Sequence, residues 1–76
     1  MNIDIEDALN ILDYTFECGN YATFRDIAQE FYLSKASIEE YLLLFRELKI
    51  IDGTALSHFT FIYPYEVCYD IISNCK

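Results

Sequence analysis

The sequence predicts a small α+β domain, mainly α, in which a three-helix core is followed by a short β-hairpin and a C-terminal helix, all within a single unit spanning residues 1–76. Three observations carry that expectation. Apolar residues recur at helical spacing in three successive stretches, each opened by an Asp, Thr or Ser able to cap a helix. Near residue 50 the pattern switches to β-branched and aromatic residues around an Asp-Gly turn signal, and beyond Pro64 helical spacing returns. No linker, repeat or low-complexity stretch divides the chain.

The first helix runs from Asp4 to about Glu17, with Ile5, Ala8, Leu9, Leu12 and Phe16 facing inward and Glu6, Asn10, Asp13 and Glu17 on the other side. Asp4 caps it, Glu6 and Asp7 favour the positive end of its dipole, and Gly19 can take the left-handed conformation that stops it. Residues 20–22 read as a connection. Thr23, with Asp26 three residues on, opens a short second helix that turns Phe24, Ile27, Ala28 and Phe31 inward and ends near Tyr32 and Leu33. Ser34 caps a third helix, expected to be the longest, running to about Lys49 with Ile38, Tyr41, Leu42, Phe45 and Leu48 inward. Ile50-Ile51, the Asp52-Gly53 turn and the run Phe59–Tyr63 read as a hairpin. After Pro64, the stripe Val67, Cys68, Ile71, Ile72 and Cys75 belongs to a last helix, serving either as intrachain core or as the seam of a homodimer.

A chain of 76 residues buries only about 60% of its unfolded surface, and a composition of 54% hydrophobic residues, with seven Tyr and six Phe, supplies the dense core that this requires. Cys18, Cys68 and Cys75 are an odd number without metal-site spacing, and a zinc site built from Cys68, Cys75 and His58 would lack a fourth ligand, so free thiols in a cytoplasmic setting are expected and no cofactor or metal. His58 stands without a nucleophile or carboxylate arrangement, and no Gly-rich phosphate loop occurs, which argues against an enzyme. No apolar run approaches the ~20 residues of a membrane span. Thirteen Asp and Glu against five Lys and Arg give a net charge of -8, which repels phosphate and disfavours both bare DNA and an anionic membrane.

Residues 23–51, TFRDIAQEFYLSKASIEEYLLLFRELKII, carry Thr23, Ile27-Ala28, Phe31, Ser34, Ser37-Ile38, Leu42, Phe45, Leu48 and Ile50-Ile51 at the places that open, pack and cross the helices of a winged helix-turn-helix domain. The segment resembles that family over nearly its whole length. Ala28 must be small where two helices cross closely, and Ile38 and Leu42 must be apolar to bury the recognition helix. The chain departs from the pattern twice. Tyr32 stands where the family usually has Gly or Asn in the turn. The outward positions of the recognition helix carry Glu39, Glu40, Leu43, Leu44 and Glu47, where DNA-binding members place basic or polar residues, and residues 52–63 contain no Lys or Arg.

The resemblance therefore implies a fold more than a function. The expectation drawn from it is a non-enzymatic protein-binding winged-helix domain whose Glu39, Glu40, Leu43 and Glu47 meet a basic, nucleic-acid-binding protein. Small acidic proteins of the kind it resembles often come from phages and mobile elements, and the resemblance implies a role as an inhibitor or regulator of that type. Solubility is the competing reading of the acids, and a scattered surface hydrophobe that of Leu43. The alternative function is a dimeric transcriptional regulator reading DNA with Lys35, Ser37, Tyr41 and Arg46, aided by Arg25 and Lys49 if the cations gather in space.

Overall fold

Three side-chain caps fix where the helices begin. In the computed structural model, which describes residues 3–52 and 58–75, the Asp4 carboxylate accepts from the Glu6 N–H at 2.9 Å and opens α1 (Ile5–Glu17). Thr23 Oγ1 accepts from the Asp26 N–H at 3.1 Å and opens α2 (Phe24–Phe31). Ser34 Oγ accepts from the Ser37 N–H at 3.2 Å and opens α3 (Lys35–Glu47). Each cap satisfies an amide that the first helical turn leaves unpaired. Gly19 follows the end of α1 at φ +81°, as its position predicts. Lys49, at φ +59°, ends α3 sooner than expected, so α1 and α3 are both 13 residues long and α3 does not exceed it.

Part of the expected connection after α1 is a strand. β1 (Ala22–Thr23), β2 (Ile51–Asp52) and β3 (His58–Phe61) form an antiparallel sheet in the order β1-β3-β2, with Ala22 opposite Phe59 and Ile51 opposite Phe61. The stem of the expected hairpin is thus β2 and β3. Gly53 of the turn and Ser57 lie outside the described residues. β3 ends at Phe61, and Ile62 and Tyr63, expected in the strand, are exposed beyond it. Pro64 then precedes α4 (Tyr65–Ser73), a position where its missing N–H costs no helical hydrogen bond.

The architecture is a small α+β fold, mainly helical, with four helices and one three-stranded antiparallel sheet among the described residues. Its core joins Ala8, Ile11 and Leu12 of α1, Ile27 of α2, Ile38, Tyr41, Leu42 and Phe45 of α3, Phe59 and Phe61 of β3, and Cys68 and Ile72 of α4. Phe45 sits edge-on to Phe61 at a ring separation of 5.3 Å and 6.5 Å from Phe59, binding α3 to the sheet.

α1 contributes more of its circumference than its apolar spacing suggested. Ile11 and Thr15 are buried while Ile5, Leu9 and Phe16 are half-buried, because α4 packs on a second side of this helix. Thr15 is tolerated there because its hydroxyl donates back to the Ile11 carbonyl at 2.7 Å. Asp13, expected on the outer face, is half-buried and accepts from the Tyr65 hydroxyl of α4. The α4 stripe is divided accordingly: Cys68 and Ile72 are fully buried in the intrachain core, Ile71 packs at its margin, and Val67 is exposed. All three cysteines are free, and burial pushes the Cys68 thiol up, keeping it protonated and inert at neutral pH.

Tyr32, the departure in the turn between α2 and α3, takes the left-handed conformation at φ +54° with its side chain 94% exposed. A residue with a Cβ is disfavoured there by about 1–2 kcal/mol. Glycine removes that strain but brings about 0.5–1 kcal/mol of extra chain entropy. Tyr32→Gly is therefore expected to stabilise the domain by up to about 1 kcal/mol, read as a higher urea midpoint at an unchanged slope. A lower midpoint would show that the turn is not strained.

Candidate functional site

α3 presents two unlike surfaces, and the helical repeat of 3.6 residues determines which side chains share each. Ile38, Tyr41, Leu42 and Phe45 face the core. Ala36, Glu39, Glu40, Leu43 and Glu47 occupy the opposite arc, about 100° wide at that repeat. Glu39, Leu43 and Glu47 are exposed there and Glu40 is half-buried. The structure therefore brings together all four residues expected to bind protein. Leu43 is 45% exposed, whereas Leu44 packs at the margin of the core, which separates the three consecutive leucines as the helical geometry requires.

The residues expected to read DNA do not share a face. Tyr41 is 4% exposed; its hydroxyl donates to Asp7 Oδ2 at 3.4 Å and accepts from the Asp4 N–H at 3.3 Å. Burial, with Asp7 and Asp4 nearby, raises its pKa. This side chain ties α3 to the start of α1 and cannot reach a base edge, so its assignment to a DNA surface is corrected. Ser37 is half-buried and engaged with Ser34 at the cap, its N–H donating to Ser34 Oγ and its own Oγ accepting from the Ser34 hydroxyl at 3.1 Å.

Lys35 and Arg46 are exposed on the flank of α3 that faces α2. Lys35 lines an open groove of about 280 Å³ with Phe24, Arg25, Ala28 and Ile38. Arg46 lines a second, of about 330 Å³, with Phe24, Glu39, Leu42 and Leu43. The half-buried Phe24 belongs to both. Three of the five Lys and Arg residues thus border the α2/α3 cleft, and Glu39 stands among them. The sequence placed Arg25 with Lys35 and Arg46 only on the condition that the cations gather in space, and offered no sign of Phe24, because the approach of α2 to α3 depends on how the two helices cross.

The other acids are distributed over the molecule. Glu6 and Glu17 of α1, Asp26 and Glu30 of α2, and Glu66 and Asp70 of α4 are exposed. At the sheet, Asp52 is exposed and His58 stacks on Tyr21 at a ring separation of 5.2 Å. On the α1/α4 side, the hydrogen bond to Asp13 pushes the Tyr65 hydroxyl up to about 12, because Asp13 favours the neutral phenol that donates to it.

Among the described residues, no group of three His, Cys, Asp or Glu side chains is arranged to hold a metal, and no helix is long and apolar enough to cross a membrane. No protein family, curated protein or solved structure matches the chain.

Proposed function

We propose that this chain is a non-enzymatic, cytoplasmic protein-binding domain of the winged-helix type, which docks the outward face of α3 on a basic, nucleic-acid-binding surface of a partner and acts there as an inhibitor or regulator of the phage or mobile-element kind. The layout of helices and sheet is compatible with that fold. One observation carries the reading: Glu39, Glu40 and Glu47 surround Leu43 on a single arc of α3, with Arg46 the one cation at its edge, beside Glu39. Carboxylates at that spacing attract Lys and Arg side chains and repel phosphate, while Leu43 supplies an apolar contact at the centre. A partner surface built for a nucleic-acid backbone has the complementary charge.

The test is binding of a fluorescent Lys/Arg-rich peptide at low salt to the wild-type chain, to the triple variant Glu39→Gln, Glu40→Gln, Glu47→Gln, and to a charge-matched control, Glu6→Gln, Glu17→Gln, Glu66→Gln. Exposed ion pairs contribute roughly 0.2–1 kcal/mol each, so the α3 triple is expected to bind about tenfold more weakly than wild type. The control, with the same net charge, is expected to bind nearly as well as wild type. Equal losses in the two triples would mean that net charge alone governs binding, and the α3 face would be rejected.

The gathering of Arg25, Lys35 and Arg46 at one cleft favours a second reading, a dimeric DNA-binding regulator. Such a protein would shift random duplex DNA at low salt, with affinity falling steeply as salt rises.

A further inference from the structure

The groove lined by Phe24, Glu39, Leu42, Leu43 and Arg46 has an acid at one end, a base at the other and leucines between them. Glu39 and Arg46 are seven residues apart on α3, two helical turns, and so stand about 10 Å apart along the axis on nearly the same side of the helix. Too distant to pair with each other, they form a pattern that is its own complement. Turning a second copy by a two-fold rotation about a point between Leu42 and Leu43 runs the two α3 helices antiparallel. Glu39 then lies opposite Arg46 of the second copy, Arg46 opposite Glu39 of the second copy, and the two exposed Leu43 side chains approach each other between these pairs, Leu42 staying buried in its own core. This is the isologous arrangement that two-fold dimers require, with two ion pairs around one apolar contact. A parallel pairing would oppose Glu39 to Glu39 and Arg46 to Arg46, so only the antiparallel one is matched.

We propose that this flank of α3 is a self-association seam, and that two copies of the chain pair through it. The seam is distinct from the α4 stripe, whose Cys68 and Ile72 are already buried within one chain. It does not rest on the function proposed above, since it needs only that Glu39, Leu43 and Arg46 face a second copy of the chain. The two are nevertheless linked, because pairing covers Glu39 and Leu43 and withdraws them from any other partner. A contact confined to one pair of helices falls at the small end of interface sizes, and each copy carries a net charge of -8, so the dimer is weak and forms only at high concentration.

Charge reversal tests the seam on the intact chain by sedimentation velocity, from about 10 µM to about 1 mM, a range suited to such a small contact. The wild-type chain is expected to dimerise in this range. Glu39→Arg alone places two cations at each end of the seam and Arg46→Glu alone places two anions there, so each variant by itself is expected to remain monomeric. Mixed in equal amounts, the two variants restore both complementary pairs and are expected to form a heterodimer as readily as the wild type dimerises. Their net charges, -6 and -10 (that is, -8 with two charges added or removed), average to the wild-type value, so recovery in the mixture cannot come from weaker overall repulsion. Both side chains are exposed, and recovery itself shows that both variants are folded. A wild-type chain monomeric throughout the range, a mixture no more associated than its components, or a Glu39→Arg variant that self-associates like wild type would each overturn the proposal.

Discussion

Phe45→Ala is expected to bring the domain to the edge of unfolding. Phe45 is fully buried and is the aromatic link between α3 and the sheet, with the rings of Phe59 and Phe61 against it. Truncating a buried Phe costs about 3–5 kcal/mol, the lost transfer energy plus the cavity left behind. A chain of this length has a total stability of roughly 4–11 kcal/mol, at about 0.05–0.15 kcal/mol per residue. The loss therefore consumes roughly a quarter or more of what is available, and the urea midpoint followed by circular dichroism should fall accordingly. Leu43→Ala, two residues away but 45% exposed, serves as the comparison and should change stability by no more than about 0.5 kcal/mol. Comparable losses at both positions would mean that α3 is held by something other than its inward face. The outcome bears on function because the direction in which Glu39, Glu40 and Glu47 point is set by the packing of Phe45 on the opposite side of the same helix.

What could be read from the sequence was what is determined locally. Asp4, Thr23 and Ser34 cap amides two or three residues away, so their neighbours alone announce the helix starts. The burial of Ile38, Leu42 and Phe45 and the exposure of Leu43 follow from helical repeat once α3 is placed. Features requiring two distant segments were hidden. β1 has only two residues and no alternation of its own, and exists because β3 pairs with it. Tyr41 carries a hydroxyl that suits a surface as well as a core, and only the approach of α1, with Asp4 and Asp7, decides for the core. Asp13 reads as a solvated acid until α4 brings Tyr65 to it. The candidate site divides along the same line. The acidic arc lies on one helix and was visible in the spacing of Glu39, Glu40, Leu43 and Glu47, whereas the cleft that collects Arg25, Lys35 and Arg46 required the crossing of two helices.

Asn20 shows how far such a long-range role can be from anything its neighbours reveal, and substituting it is expected to have the next largest effect. Extending the pairing of Ala22 with Phe59 by two residues places Asn20 opposite Phe61, where a longer β1 would supply backbone partners. Its backbone is instead left-handed, at φ +60°, and its side chain takes over the ladder. Nδ2 donates to the Phe61 carbonyl at 2.8 Å and Oδ1 accepts from the Phe61 N–H at 2.9 Å. An amide is the side chain that offers a donor and an acceptor side by side, and Asn tolerates the left-handed region better than most residues. Asn20→Asp preserves the shape, the backbone preference and the acceptor while replacing the donor with a carboxylate oxygen set against a carbonyl. The Phe61 carbonyl loses its partner, at a cost of about 1–3 kcal/mol at neutral pH. Because a protonated carboxyl regains a donor, the folded state should bind that proton more tightly than the unfolded chain. By linkage, the deficit of the variant relative to wild type should shrink as pH falls through the carboxylate range and be fully present above it. Urea titrations of both proteins at pH 7 and pH 4 measure the difference. A variant as stable as wild type at pH 7, or a deficit that grows on acidification, would mean that the Asn20 amide contributes nothing to holding the end of β3.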